Sequence, residues 1–345
     1  PTIGRGTSSA KSSTPILFKA TSFSTSHQNL KMNERNYSHF YLHEKPGYIR
    51  VSGQDRLDFL QRQTTNDLRL LTSNQPLVTV LTSPTGRILD VLWVIDEGED
   101  AYGVLTLPGQ GDQTASFLNR RIFFMDKVSV ENVSAELLQV ELFGDGLAGK
   151  LRDLGVNGDP NENNRTSITI EEVPVTVLLH PQMSPRLLIP GARADQVISV
   201  LKEYQILPIS SEEYKILRIE NGIPAAGHEL VEDYTPLEVG FRWAISDNKG
   251  CYTGQEVIAR QVNYDKVTRH LIGLRTGDSL RENETLYAQD SGQPVGTVTS
   301  AVVSPRFGSI ALAVVKRPYH EPETRLFLKI DNLQMKTVTD ELPFA

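Results

Sequence analysis

The chain has 345 residues, a formal charge of −7, 39% hydrophobic residues and a single cysteine. Its length suits two or three domains, and no apolar run approaches the roughly 20 residues that a membrane span needs. The acidic balance without a basic stripe argues against duplex nucleic acid as a partner; one cysteine excludes an internal disulfide framework and fits a reducing compartment.

Residues 1–33 contain no acid, are rich in Ser and Thr, and carry Arg5, Lys11, Lys19 and Lys31. That composition fits either an organellar transit segment or a translated leader ahead of a start at Met32. The first implies a mitochondrial or plastid location and the second a cytoplasmic one. Either way the segment lacks the periodicity of a packed element and is expected to be disordered.

From Tyr48 the pattern becomes globular. Tyr48-Ile-Arg-Val51 alternates as a strand, and Asp55 to Asp67 reads as a helix with Leu57, Phe59, Leu60 and Leu68 on its apolar side. Val78 to Thr82, the turn Pro84-Thr85-Gly86 and Ile88 to Ile95 form a hairpin. A helix over Asp112 to Arg121 and a strand at Lys127 to Val130 follow. Leu137 to Phe143 is a strand and Leu147 to Leu154 a helix, and the Asn-, Gly- and Asp-rich stretch Asn157 to Arg165 is a surface loop. Val173 to His180 pairs with Arg186 to Pro190, and a helix covers Arg193 to Tyr204. Ser210 with Glu213 is a capping box, and the helix it opens stops at Gly222.

Beyond Thr268 helices give way to short strands: His270 to Leu274, Thr285 to Ala288, Gly296 to Val302, Ser309 to Val315 and Leu326 to Ile330. Regular short strands without helices predict a small antiparallel barrel. The expected layout is a leader (1–33), a two-part α+β region (34–266, divided near 132/133) and a C-terminal barrel (267–345).

Chemistry concentrates between Arg218 and Arg260. Thr253 and Glu256 have capping-box spacing, so a helix over Gln255 to Val262 should aim its free amides and dipole at the preceding turn. Cys251 lies in that turn, two residues from Lys249 and between Gly250 and Gly254, and both neighbours favour a thiolate. A small buried cysteine beside a helix start is the equally simple structural reading. Glu229 and Glu238 stand in Pro- and Gly-punctuated loop, either as solvated acids or cap partners, or as bidentate acceptors for the paired N–H groups of a pterin. Asp90 interrupts the apolar strand Ile88 to Val94, on the alternation face of Ile88, Leu92 and Val94. The net charge leaves room for a local positive cleft holding a small polyanion such as a polyglutamate tail. The seven histidines show no metal-ligand spacing.

Lys249-Gly-Cys-Tyr-Thr-Gly-Gln-Glu256 is similar to the motif of YgfZ-type folate-binding proteins and their mitochondrial iron–sulfur assembly relatives. Gly53-Gln-Asp55 with Thr65-Asn66-Asp67 resembles that family's opening helix. Gly86-Arg-Ile-Leu-Asp90, Pro236-Leu-Glu238 and Val298-Thr-Ser300 resemble segments shared with the glycine-cleavage T-protein. The resemblance implies two ferredoxin-like mixed α/β subdomains and a small barrel, arranged as a ring around a tetrahydrofolate pocket. It implies that Glu238 holds the pterin, with Glu229, Asp90, Lys249, Gly250, Tyr252 and Gly254 beside the cofactor, and that Cys251 and Asp90 are the reactive groups. T-proteins show two adjacent acids where this chain has Asp90-Val91, and they lack the cysteine. Three functions follow as expectations. The first is a tetrahydrofolate-binding accessory protein that serves iron–sulfur assembly proteins or client enzymes. The second is an aminomethyltransferase acting on tetrahydrofolate. The third is a partner-binding protein that retains the fold without folate. No DNA or membrane partner is expected.

Overall fold

A computed structural model describes residues 38–98, 100–159, 162–330 and 333–345. The expectation for residues 1–33 lies outside them.

The described chain opens with strand β1 (Ser38–Leu42), followed by β2 (Gly47–Ser52) where the Tyr48 alternation was read. Helix α1 (Arg56–Gln63) ends four residues before Asp67. At Thr64 the backbone turns extended, its hydroxyl donates to the Leu60 carbonyl at 3.0 Å, and Thr65 N donates to Val80 O. The chain thus leaves the helix to pair with β3 (Leu77–Thr82). Strands β4 (Ile88–Gly98) and β5 (Ala101–Thr106), helix α2 (Gly111–Asn119) and β6 (Ser129–Asn132) complete a sheet of order β3-β4-β5-β2-β6. Without the edge strand β3 this is the fourth-first-third-second order of a ferredoxin-like unit, with α1 and α2 as its two crossovers.

The second unit repeats the plan with β7 (Leu137–Phe143), α3 (Leu147–Asp153), β8 (Asn164–Ile170), β9 (Val173–His180), β10 (Met183–Pro190), α4 (Ala194–Glu203) and β11 (Ile206–Pro208). Its order is β11-β1-β7-β10-β9-β8. Strand β1, assigned from sequence to the first subdomain, therefore belongs to the second sheet: it runs parallel to β11 and antiparallel to β7.

Helix α5 (Ser211–Glu220) carries the expected capping box, with Ser210 Oγ accepting from Glu213 N and Glu213 Oε2 accepting from Ser210 N. Helix α6 (Gln255–Asn263) departs from expectation. Its N-cap is Gly254 at φ +84°, no side chain caps it, and Thr253 makes no capping box with Glu256. The Thr253 backbone is committed elsewhere: its N–H donates to Arg62 O at 3.1 Å, and its carbonyl accepts from Thr82 Oγ1 at 2.7 Å. A Cβ on residue 254 would lie 2.7 Å from Ser83 O, so only glycine allows this approach. No helix among the described residues is long and apolar enough to cross a membrane.

The C-terminal strands β12 (Arg269–Thr276), β13 (Thr285–Ala288), β14 (Pro294–Ser304), β15 (Gly308–Lys316), β16 (Arg325–Ile330) and β17 (Leu333–Asp340) close into a barrel of order β12-β15-β14-β13-β16-β17. The fold is thus mixed α/β with a closed antiparallel barrel, as the sequence predicted.

Each body has its own core, and a further cluster joins all three. Val80, Val91 and Trp93 of the first sheet meet Leu178 and Leu188 of the second and Val314 of the barrel, with Phe241 and Ala244 from the connecting loop. Buried polar joints fix the same seams. Arg218 on α5 donates to Ser300 Oγ on β14 at 2.7 Å, and Ser300 donates to Glu229 Oε1 at 2.6 Å. Arg218 Nη1 also lies 3.4 Å from Glu229 Oε2, and both side chains are almost fully buried. Removing one partner of such a pair strands the other charge out of water. Glu229→Ala should therefore cost roughly 3–5 kcal/mol of unfolding free energy, measured by urea denaturation; a loss under about 1 kcal/mol would show that this joint does not hold the barrel.

Candidate functional site

The three bodies line a cavity of about 700 Å³ that is partly open to solvent. Its walls come from β1, β7 and β10 of the second sheet, from the end of β5, from α5 and the loop after it, and from β12 and the C-terminal tail of the barrel. Most of the acids and loop residues singled out in the sequence do not line it.

Glu238 is buried, and both its oxygens are occupied. Arg269 donates through Nε to Oε1 at 2.8 Å and through Nη2 to Oε2 at 3.0 Å, while Thr235 N donates to Oε2 at 2.9 Å. Arg87 stands 3.4 Å from the same oxygen. This bidentate pair clamps the loop onto β12, and the carboxylate is not free to hold a pterin. Glu229 is likewise filled, by Ser300 on one oxygen and by Ala225 N and Arg218 on the other.

Asp90 faces the helices, away from the cavity. Its carboxylate accepts from Thr114 Oγ1 at 2.5 Å, Leu107 N at 2.9 Å and Val91 N at 2.8 Å, tying β4 to the β5–α2 connection. Burial pushes its pKa up to about 7 against the pull of these donors. A register shift beside residue 88 separates it from Ile88, which packs in the shared core, whereas Leu92 and Val94 stay with the helix-covered side. Val91, the next residue, sits in the shared core beside Trp93 and Phe241.

The Lys249–Glu256 motif packs on the α1–β3 edge of the first subdomain. Lys249 is buried and its Nζ donates to Thr64 O and Asn66 O, each at 2.6 Å; burial lowers its pKa to about 7. Tyr252 packs with Ile245 and Ile258, and burial raises its hydroxyl to about 12. Gly250 stands in open space, and Cys251 is exposed, so the buried reading of the thiol does not hold. Lys249, Gly250, Cys251, Tyr252 and Gly254 are all outside the cavity wall.

The residues that do line it were missed. Glu141 on β7 is the one carboxylate in the wall among the described residues. Its Oε2 accepts from Tyr214 Oη at 3.1 Å and from Arg186 Nη2 at 3.0 Å, and lies 2.9 Å from His43 Nε2. Burial alone would raise this carboxyl, but Arg186 and His43 more than offset it and hold it at about 2. His43 Nε2 is also 3.0 Å from Arg186 Nη1, so the ring nitrogen donates to Glu141 when it carries a proton and accepts from Arg186 when it does not. Burial lowers the His43 pKa. Tyr41 stacks on Tyr214 with centroids 4.0 Å apart, and Phe241 and Trp243 add aromatic surface on another side. Glu141 carried a signal: it interrupts the apolar strand Leu137–Phe143 much as Asp90 interrupts its own.

A flat, partly polar molecule fits such a cavity: its wall holds aromatic side chains, one ionised carboxylate and the guanidinium groups of Arg186 and Arg218.

Two family profiles match the chain: the GCVT N-terminal domain over residues 15–159 and the glycine cleavage T-protein C-terminal barrel domain over residues 269–344. A putative chloroplastic transferase of Arabidopsis thaliana is 32% identical over 74% of this chain, which spans 59% of that relative's length. The aminomethyltransferase of Thermoanaerobacter sp. (strain X514) is 24% identical, over 85% of this chain and 82% of its own. The mitochondrial aminomethyltransferase of Gallus gallus is 27% identical, over 86% and 79%. The crystal structure of the glycine cleavage system aminomethyltransferase T from Bartonella henselae shares the fold, with a TM-score of 0.77 at 20% identity over 90% of this chain and 87% of that one.

The burial of Asp90 has a measurable consequence. Its folded pKa lies above the ordinary aspartate value of 3.8, so the folded state keeps a proton that the unfolded state gives up. The stabilisation is complete below about pH 4 and is lost as pH rises to about 7. The stability difference between wild type and Asp90→Asn should shrink over that window, read from urea midpoints at several pH values. A difference independent of pH, or one that grows, would rule out the protonated buried carboxyl.

Proposed function

The chain belongs to the glycine-cleavage T-protein superfamily, and on that premise we propose that it binds tetrahydrofolate or a one-carbon derivative in the cavity between its three bodies. The observation that carries this reading is the cavity itself, with aromatic side chains, an ionised carboxylate and two guanidinium groups in its wall, formed by a fold shared with an aminomethyltransferase. The names of several relatives favour aminomethyl transfer as the reaction: a one-carbon unit passes from a carrier-bound amine to the folate, and ammonia leaves.

In that reaction this chain's own groups would bind and orient the folate and exclude water from it. Asp90 is enclosed by three donors and turned to the helix side, so it supports the β5–α2 connection and does not exchange protons with a ligand in the cavity. Of the groups in the wall, His43 is the imidazole hydrogen-bonded to a carboxylate, Glu141, and burial lowers its pKa, so its resting form at neutral pH is the uncharged ring that can take up a proton. Proton transfer inside the chamber is assigned to it.

A second reading, the accessory role toward iron–sulfur proteins, is favoured by one specific observation: Cys251 is exposed while Lys249 and Thr253, on either side of it, are fixed by hydrogen bonds to the first subdomain. A single thiol cannot hold a cluster alone, so any cluster contact would be shared with a partner.

The readings separate by experiment. Titration with tetrahydrofolate should saturate and quench the fluorescence of Trp243, which lines the cavity; an unchanged spectrum at millimolar ligand would remove folate from both. With an aminomethyl-loaded carrier, the protein should form methylenetetrahydrofolate, and product no higher than background would eliminate the transferase. Cys251→Ala should fold normally and leave folate binding within about twofold, because an exposed side chain outside the cavity contributes little to either. In a deletion strain, loss of iron–sulfur enzyme activity with this variant would establish the accessory role, and full rescue would discard it.

A further inference from the structure

Three buried acids compete for the role of pterin acceptor, and their hydrogen bonds separate them. Glu238 and Glu229 each have both oxygens occupied by protein donors. Glu141 receives its contacts from His43, Arg186 and Tyr214 on Oε2 alone, with the Ser184 hydroxyl also bonded to the carboxylate. It is also the acid that lines the cavity. Beside it stands a buried donor without a partner. Arg186 is about nine-tenths buried, its two terminal nitrogens are used on His43 and Glu141, and its Nε–H has no partner. A buried donor left without an acceptor is costly unless a ligand or water completes it.

We propose that Glu141 and Arg186 together read the hydrogen-bonding edge of the folate's pterin. The edge offers, in order, a 4-oxo acceptor, an N3–H donor and a 2-amino donor. Glu141 Oε1 takes the two donors and Arg186 Nε–H gives to the oxo group. The Arg186 and His43 contacts keep the carboxylate ionised and hold its plane, and the stacked Tyr41–Tyr214 pair forms the adjoining apolar wall. This rests on the folate reading and narrows it: the pterin end lies toward β7 and β10, away from Glu238.

The test compares tetrahydrofolate with its analogue lacking the 2-amino group, using wild type, Glu141→Gln and Arg186→Lys. Wild type should prefer tetrahydrofolate by about 10- to 100-fold, the range for losing a hydrogen bond to a charged group. Glu141→Gln should weaken tetrahydrofolate by a similar factor and bind both ligands alike, a loss of discrimination that a merely structural residue would not cause. Arg186→Lys keeps the charge but lacks Nε–H, and should weaken both ligands while retaining the preference. Circular dichroism confirms that the variants are folded; should Glu141→Gln fail to fold, equal affinity of wild type for the two ligands would still overturn the proposal. Tetrahydrofolate binding that Glu141→Gln leaves unchanged would overturn it while leaving the folate reading intact, whereas no binding by wild type would end both.

Discussion

Carboxylates that leave water must find donors, and this requirement governs the loop region joining the two α/β units to the barrel. Glu238 finds Arg269 on β12, and Glu229 finds Arg218 and Ser300 across the α5–β14 seam. The Glu238–Arg269 and Glu229–Ser300 contacts reach from the loop into the barrel, so both carboxylates gain their full set of partners only when the barrel is seated. The acids that look most like ligand contacts are therefore the fasteners of the assembly. The neutral part of the same seam, from Val80 and Trp93 to Val314, supplies the apolar area, while the ion pairs fix its geometry.

Strands with clean apolar alternation were legible in the sequence. Thr285–Ala288 coincides with its strand, and the hairpins at 77–98 and 173–190 differ only at their ends. Strands whose inward residues are polar or interrupted were not. In β17 the inward positions are Met335, Thr337 and Thr339, so hydrophobicity does not mark the buried face. Gly103 breaks the pattern of β5 because a Cβ there would lie 1.9 Å from Tyr48 Oη. The two units also share a strand order without a recognisable sequence repeat, since topology constrains the pattern of elements more tightly than the residues within them.

The site was less legible for a different reason. Local spacing identified groups bound to their neighbours, whereas the cavity draws His43, Glu141, Arg186 and Tyr214 from separate elements up to 171 residues apart. Nothing in a window of ten residues announces that convergence. The motif around Cys251 was recognisable because it is contiguous, and the structure places it on the outer edge of the first subdomain. Folate and thiol chemistry, if both operate, occupy different surfaces of one scaffold.

The position of β1 bears on how the chain can assemble. This strand is made early, yet both its neighbours, β7 and β11, come later, and β11 has no other strand beside it. During synthesis β1 must wait through the entire first α/β unit before its slot exists. The first unit can close without it; the second cannot close from its own segment. The thread order thus makes completion of the second sheet a checkpoint that is passed only after β11, ending at Pro208, has been made, and it ties the two units through the backbone itself.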